Sequence, residues 1–433
     1  MKKQIAKLLI LTLVCANLAA CGQQQTAAPQ TGTETAQTGE NTESGEPVQD
    51  DYVIKIGYGG GLCEAPLHIA VEKGFFDKEG VKYELERVDA AETASAVGSG
   101  KIEAGFGLLG KFLQPIDNGL PMRVTAGIHT GCTKVLVPGD GDIKSVKDLK
   151  GKKIGVPGLG AAPAIIVKRS LAKEGIDVSA DKAEVEFAVF SMSDLPSALQ
   201  NGAVDCVCMS DPQGSVAEAE FGLRCIIDTA KDDDYKDEYC CISFVTDNIA
   251  KNHPDAARRF TKAIMEASLW VEAHPDETAH IQVEKQWVSG DPEFNAEVLK
   301  QYNYKPSLEG GLEALKLSAP AIKDLGLIKE STDIDEFVNN TFFEVPDLTD
   351  EQVFEDSGVT AEELAARSEE TPNASAFANV KVEEMKEDDC CKYEEPEEEH
   401  EEKECCKHKK EQQEEHKVEH EMKDCCKEKE ETK

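Results

Sequence analysis

Apolar runs of strand length alternate with helical periodicity from residue 53 to about residue 245. Strands are predicted at 53–58, 82–88, 105–109, 123–128, 133–137, 153–156, 184–190, 206–209, 224–228 and 241–245, since each is a short apolar run with turn formers nearby. Helical patterns fit between them, as at 66–73, 161–173 and 195–201. This alternation predicts an α/β fold with largely parallel sheets. After residue 245 the strands stop and amphipathic helices are expected at 254–273, 275–287 and 308–325, with Pro254 and Pro275 in the first turn where proline is tolerated. Trp270 and Trp287 fall within these helices and read as core residues.

The two ends of the chain have other patterns. Lys2 and Lys3 precede an apolar run over 8–20 that is too short to span a bilayer, the pattern of a signal peptide (1–20). The run closes on Leu18, Ala19, Ala20 and Cys21, which resembles the bacterial lipobox and implies lipidation of Cys21; a plain secretory signal is the other reading. Residues 21–51 are Gln, Thr, Gly, Glu and Pro with almost nothing apolar, too little to offset chain entropy by burial, and read as a flexible tether. The segment 372–433 turns to Glu, Lys, Cys and His, and repeats one unit at Cys390-Cys391, Cys405-Cys406 and Cys425-Cys426. The expected state of this tail is disordered or helical. The net charge of -37 argues against nucleic acid as a partner. The body between tether and tail is long enough for two lobes.

Specific residues carry a family resemblance across the body. Ile56-Gly57-Tyr58, Ala65-Pro66-Leu67-His68-Ile69-Ala70 and Glu72-Lys73-Gly74-Phe75-Phe76, continued by Glu79-Gly80-Val81, resemble the opening of the NMT1/THI5-like binding proteins for nitrate, sulfonates, taurine and thiamine-pyrimidine precursors. Gly98-Ser99-Gly100-Lys101-Ile102-Glu103-Ala104-Gly105, the stretch from Asp148 to Val156, Leu199-Gln200-Asn201-Gly202-Ala203-Val204-Asp205 and Leu325-Gly326-Leu327-Ile328 follow in the family's order. The resemblance implies a two-lobed periplasmic-binding-protein (type II, Venus-flytrap) fold with hinge strands. On that basis the first lobe is expected at 52–138 and 239–371 and the second at 139–238, with crossings near 138–145 and 230–239. The late helices should pack back on the first lobe. It further implies the monomeric solute-binding subunit of an ABC importer, lipid-anchored on the extracytoplasmic face of the cell membrane, with permease and ATPase subunits as partners.

In open α/β sheets ligands lie beyond the carboxyl ends of strands, so the candidates follow the predicted strands. They are Gly60, Gly61, Cys63 and Glu64, then Leu109 and Lys111, then Gly158, Gly160 and Ala161, then Ser210 and Asp211. Glycines here let a backbone approach a ligand, or serve only the turn; Lys111 offers a cation to an anion, or is a solvated surface lysine. Free amides at the helix start near Ala161 suit an oxyanion, although hydroxyl residues usual in relatives are missing from that loop.

Cysteine is the more distinctive signal. Cys63, Cys132, Cys240 and Cys241 fall at strand ends, with His129 close by, a thiol and imidazole set that prefers zinc, copper(I) or heavier thiophilic ions. A disulfide of Cys132 with Cys240 or Cys241, or a role as small core residues, is the alternative; Cys206, Cys208 and Cys225 read as core. The six tail cysteines with His400, His408, His416 and His420 form a second set able to bind soft metal, or a solvated tail with its pairs oxidised. Three functions therefore compete. The first is a binding protein delivering a small nitrate-, sulfonate-, taurine- or pyrimidine-like solute to a permease, with no catalytic residue and no certain cofactor beyond a soft metal ion. The second is a metal-sequestering lipoprotein. The third is an enzyme resembling the thiamine-pyrimidine synthases, which export and the lack of a compact cysteine motif oppose.

Overall fold

In a computed structural model of the chain, residues 50–179 and 181–369 are described. Cys21, the tether up to residue 49, and the tail with Cys390, Cys391, Cys405, Cys406, Cys425 and Cys426 lie outside the described residues. No helix among the described residues is long and apolar enough to cross a membrane.

The strands are β1 (Val53–Tyr58), β2 (Lys82–Arg87), β3 (Ala104–Leu108), β4 (Met122–Thr130), β5 (Thr133–Val137), β6 (Lys153–Val156), β7 (Glu186–Val189), β8 (Cys206–Ser210), β9 (Arg224–Asp228) and β10 (Tyr239–Thr246). They build two five-stranded sheets, one ordered β2-β1-β3-β10-β4 and the other β7-β6-β8-β5-β9. Both repeat one plan: parallel strands linked by helices, with a single strand running against its neighbours, β10 in the first sheet and β5 in the second. The two exceptions are the strands on which the chain arrives from the other sheet. A chain that leaves one sheet at its carboxyl edge and passes straight to the facing edge of the other must start its new strand where the neighbours end, so it runs antiparallel. This crossing pattern leaves four of the five strands in each sheet parallel to one another, as the alternation of strand and helix predicts.

It also moves the lobe boundary. β5 belongs to the second sheet, so the first crossing is at Gly131 and Cys132, not at 138–145, and the second lobe begins ahead of residue 139. Strand periodicity identifies β5 as a strand but says nothing of which sheet it joins. The return crossing lies between Asp228 and Tyr239.

The first lobe is held by the late helices. Pro254–Ala273 places Ala257, Phe260, Ile264, Ala267 and Val271 on one buried face, three or four residues apart as a helix stripe requires. They pack with Ile54 and Ile56 of β1 and with Leu67 and Ile69 in one core, where truncating Phe260 to alanine is expected to cost about 3–5 kcal/mol. The helix Pro275–Glu284 ends short of Trp287, which instead packs half-buried against the core and stacks on His68 at 4.6 Å between ring centres. Cys206 and Cys208 of β8 are buried in the second lobe's core with Val135, Val137 and Leu171.

Candidate functional site

The two crossings run side by side. Gly131 has φ +75°, and a Cβ there would stand 2.6 Å from Ala230 Cα, so both its backbone angle and its neighbour require glycine. Thr133 N donates to Thr229 Oγ1 at 2.9 Å, and Thr229 Oγ1 donates to Thr133 O at 3.0 Å, tying one crossing to the other. Asp211 N donates to Cys132 O at 3.1 Å. Thiols enter at the start of each arriving strand: Cys132 just ahead of β5, Cys240 and Cys241 in the first turns of β10.

Side chains of consecutive residues in a regular strand face opposite ways. The register of β10 against β4 slips between Tyr239 and Cys241 and again between Cys241 and Ile242. This irregularity re-aims side chains, as bulges do, and both Cys240 and Cys241 reach Cys132, with sulfur–sulfur distances of 3.3 Å and 3.9 Å. His129 of β4 lies opposite Cys241. Ligand atoms of His129, Cys132, Cys240 and Cys241 all lie within 4.8 Å of one another. Every cysteine among the described residues is a free thiol, so the disulfide alternative is not realised in this structure.

The imidazole is oriented. His129 Nδ1 lies 3.1 Å from the carbonyl of Thr130 and 3.7 Å from Cys240 Sγ, while Nε2 is buried and has no hydrogen-bond partner; a neutral imidazole leaves a lone pair on one ring nitrogen for a metal. Phe106, Tyr302 and Tyr304 surround the ring, with centres 5.7, 5.3 and 4.8 Å away. Cys63, on the short turn Leu62–Glu64, interacts with Cys132, Cys241 and His129. Hydrogen bonds from Cys132 and Cys241 hold the Cys63 thiol well below the usual range. Cys240 is also held low: burial opposes this, but hydrogen bonds from Cys132 and Cys241 and the charge of His129 outweigh it. Cys132 is pushed up by its hydrogen bond to Cys240, and Cys241 by burial. His129 is pushed up to about 10, burial being outweighed by the Cys240 charge. The cluster thus holds Cys63 and Cys240 low and Cys132 and Cys241 high, an uneven set of thiols around one imidazole.

Ahead of Cys63, the loop after β1 is folded around a carboxylate. Glu64 Oε2 accepts hydrogen bonds from the amides of Gly59, Gly60 and Gly61 at 2.9, 2.8 and 3.2 Å. Burial and the negative charge at Cys63 push Glu64 up to about 7, against the pull of the glycine amides. His68 Nδ1 accepts from Gln282 Nε2 at 2.8 Å, and burial holds its pKa down to about 3. Lys111 Nζ is bound to Ala90 O at 2.9 Å and Thr93 Oγ1 at 3.2 Å, which gives it a structural role at this position; burial lowers its pKa. Leu109 is buried and donates its amide to Cys240 O at 2.9 Å.

From the second lobe, Asp211 is buried, accepts from Ser215 N at 2.7 Å, and is pushed up by burial. Ser210 pairs with Thr133 across β8 and β5. Gly158 and Ala161 are bound to each other, Gly158 O accepting from Ala161 N at 3.1 Å, and Gly160 is exposed. A cavity of about 40 Å³ between the lobes is bordered by Leu109, Thr133, Ala162, Ile165 and Cys240 among others, with room for about one water in this arrangement.

The structure thus brings His129, Cys132, Cys240 and Cys241 together, with Cys63 beside them. Reading the sequence overlooks Tyr302 and Tyr304, which arrive because Asn303 and Ser307 bridge to Thr130 and Gly127 of β4, a pairing without periodicity. It overlooks His68 as well, although that residue stands within the family-like segment. Lys134 is also overlooked; it is buried and bound to Glu218 at 2.9 Å and Asp228 at 3.3 Å.

Comparison with known proteins bears on the fold and family. A Bacillus subtilis protein named for binding aliphatic sulfonates is 26% identical over 239 residues, covering 53% of this chain and 68% of that protein. The 4-amino-5-hydroxymethyl-2-methylpyrimidine phosphate synthase of Saccharomyces cerevisiae is 25% identical over 256 residues, covering 55% and 70%. Among solved structures, the periplasmic aliphatic sulphonate binding protein of Escherichia coli superposes with a TM-score of 0.56 at 16% identity, covering 68% of this chain and 93% of that one. The ligand-binding component of an ABC-type import system from Staphylococcus aureus, with zinc bound, gives 0.54 at 15% identity, covering 71% and 99%. These two likenesses establish the two-lobed binding-protein fold. Residues 64–278 match the family model described as NMT1/THI5 like.

Proposed function

We propose that this chain is the extracytoplasmic solute-binding component of an ABC importer, and that its cargo is a thiophilic metal ion or a small solute complexed to one. The observation that carries the cargo is the set His129, Cys132, Cys240 and Cys241, with ligand atoms mutually within 4.8 Å and drawn from both crossings. Three sulfurs and one imidazole nitrogen match the donor sets that hold zinc and copper(I). Binding displaces the remaining thiol protons, and ligation across both crossings fixes the hinge, so occupancy becomes a shape a permease can sense. A lipid on Cys21 would raise the local concentration of the receptor at that permease, and the tail thiols would gather the same soft ions beside it.

The test is anaerobic native mass spectrometry of the reduced full chain with all six tail cysteines replaced by serine, titrated with zinc or copper(I). One ion per chain is expected. Four-ligand zinc sites hold the metal by roughly 10–16 kcal/mol, so one ligand carries roughly 2.5–4 kcal/mol and Cys132→Ser should weaken binding by about 10²–10³-fold. Absence of metal once the tail thiols are gone would sink the reading. A second reading, an organic oxyanion, is favoured by the relative named for aliphatic sulfonates; a rise in melting temperature with ethanesulfonate and none with metal would support it. An enzyme like the yeast synthase would instead show turnover, assayed with pyridoxal phosphate and iron.

A further inference from the structure

We propose that Glu64 sets the specificity of the cleft: its carboxylate fills an oxyanion cradle made by the loop after β1 and so bars oxyanionic cargo from that position. This rests on reading the cleft as the solute site. Three successive amides, those of Gly59, Gly60 and Gly61, converge on the single atom Glu64 Oε2, the concave arrangement of backbone donors that holds phosphate and sulfate groups elsewhere. It depends on Gly60, whose φ of +83° lies in the left-handed region and whose added Cβ would stand 3.0 Å from Trp287 O.

A fourth donor points to the same place. His68 accepts at Nδ1 from Gln282, so its proton is on Nε2, which is buried and without a hydrogen-bond partner. That nitrogen lies 3.8 Å from Glu64 Oε2, beyond hydrogen-bond range. The cradle therefore has one donor more than the glutamate uses, as a site shaped for a larger tetrahedral anion would. It stands at the carboxyl end of β1, where solutes bind in such sheets, and immediately precedes Cys63. An incoming sulfonate must displace a carboxylate tethered to the same turn, and meets its negative charge. The same charge favours a cation next to Cys63.

The test is isothermal titration calorimetry of sodium ethanesulfonate and sodium sulfate into the reduced, metal-free full chain in a buffer free of sulfonates. The wild type and Glu64→Gln, whose amide oxygen still accepts from the three glycines, should give no binding. Glu64→Ala should give saturable one-site binding. A folded Glu64→Ala protein that binds neither anion, or a wild type that binds them equally well, overturns the proposal. Should Glu64→Ala fail to fold, acetate or ethanesulfonate should restore its near-ultraviolet circular dichroism by refilling the cradle; no restoration by either anion overturns it. Zinc titration of the same proteins reports separately on the thiol cluster, so loss of one reading leaves the other standing.

Discussion

Oxidising the closest thiol pair should lock the protein and empty its site. Cys132 and Cys240 lie 3.3 Å apart at sulfur and 108 positions apart in sequence. A disulfide needs about 2.05 Å, an approach of little more than an ångström between residues that each stand where an arriving strand begins. Diamide would take up the two electrons and two protons released. The bond closes a loop on the order of 100 residues, which in the chain-entropy model stabilises the folded state by about 4.7 kcal/mol and should raise the Tm by on the order of 5–10 °C. It removes two donors from the cluster, so zinc binding should be lost. The assay combines peptide mapping, thiol counting, a thermal melt and a zinc titration on one sample. A map that joins Cys240 to Cys241, or full zinc binding after a Cys132–Cys240 bond is mapped, would refute the geometry on which the site is built.

Two further outcomes follow from the packing. Gly131→Ala should destabilise the protein by roughly 2–5 kcal/mol, combining the left-handed backbone angle with the clash against Ala230; urea denaturation showing a loss below about 1 kcal/mol would mean the crossings do not pack in this way. His68 is neutral in the fold, its pKa held down to about 3 from 6.5 by burial. The unfolded chain binds the extra proton, so this contribution to stability is complete above pH 6.5 and is lost as pH falls toward 3, by on the order of 5 kcal/mol. Glu64, held up to about 7, acts in the opposite sense over pH 4.5 to 7. The difference between wild type and His68→Gln stability curves should show the histidine contribution, and parallel curves would contradict it.

The apolar alternation exposes the strands of both sheets, and antiparallel β5 and β10 read as strands like the others. What periodicity does not contain is the sheet each joins, because a strand of five buried residues looks alike in either lobe; this is why the first crossing is misplaced in the sequence. The thiols are legible as residues at strand ends. Their convergence depends on the slipped register at Cys241, which no local pattern announces, and on tyrosines brought from beyond residue 300 by isolated bridges. The loop of Gly59, Gly60 and Gly61 is visible as a ligand-facing turn, but only the fold shows that Glu64 turns back to fill it.

The central claim is that the cleft holds a soft metal through three sulfurs and a histidine nitrogen. Zinc K-edge X-ray absorption on the reduced full chain, with the six tail cysteines replaced by serine and one equivalent of zinc, tests it most directly. The account predicts three sulfur neighbours at about 2.3 Å and one nitrogen at about 2.0–2.1 Å, with one sulfur lost in Cys132→Ser. A shell of oxygen and nitrogen alone, unchanged by that substitution, would contradict it.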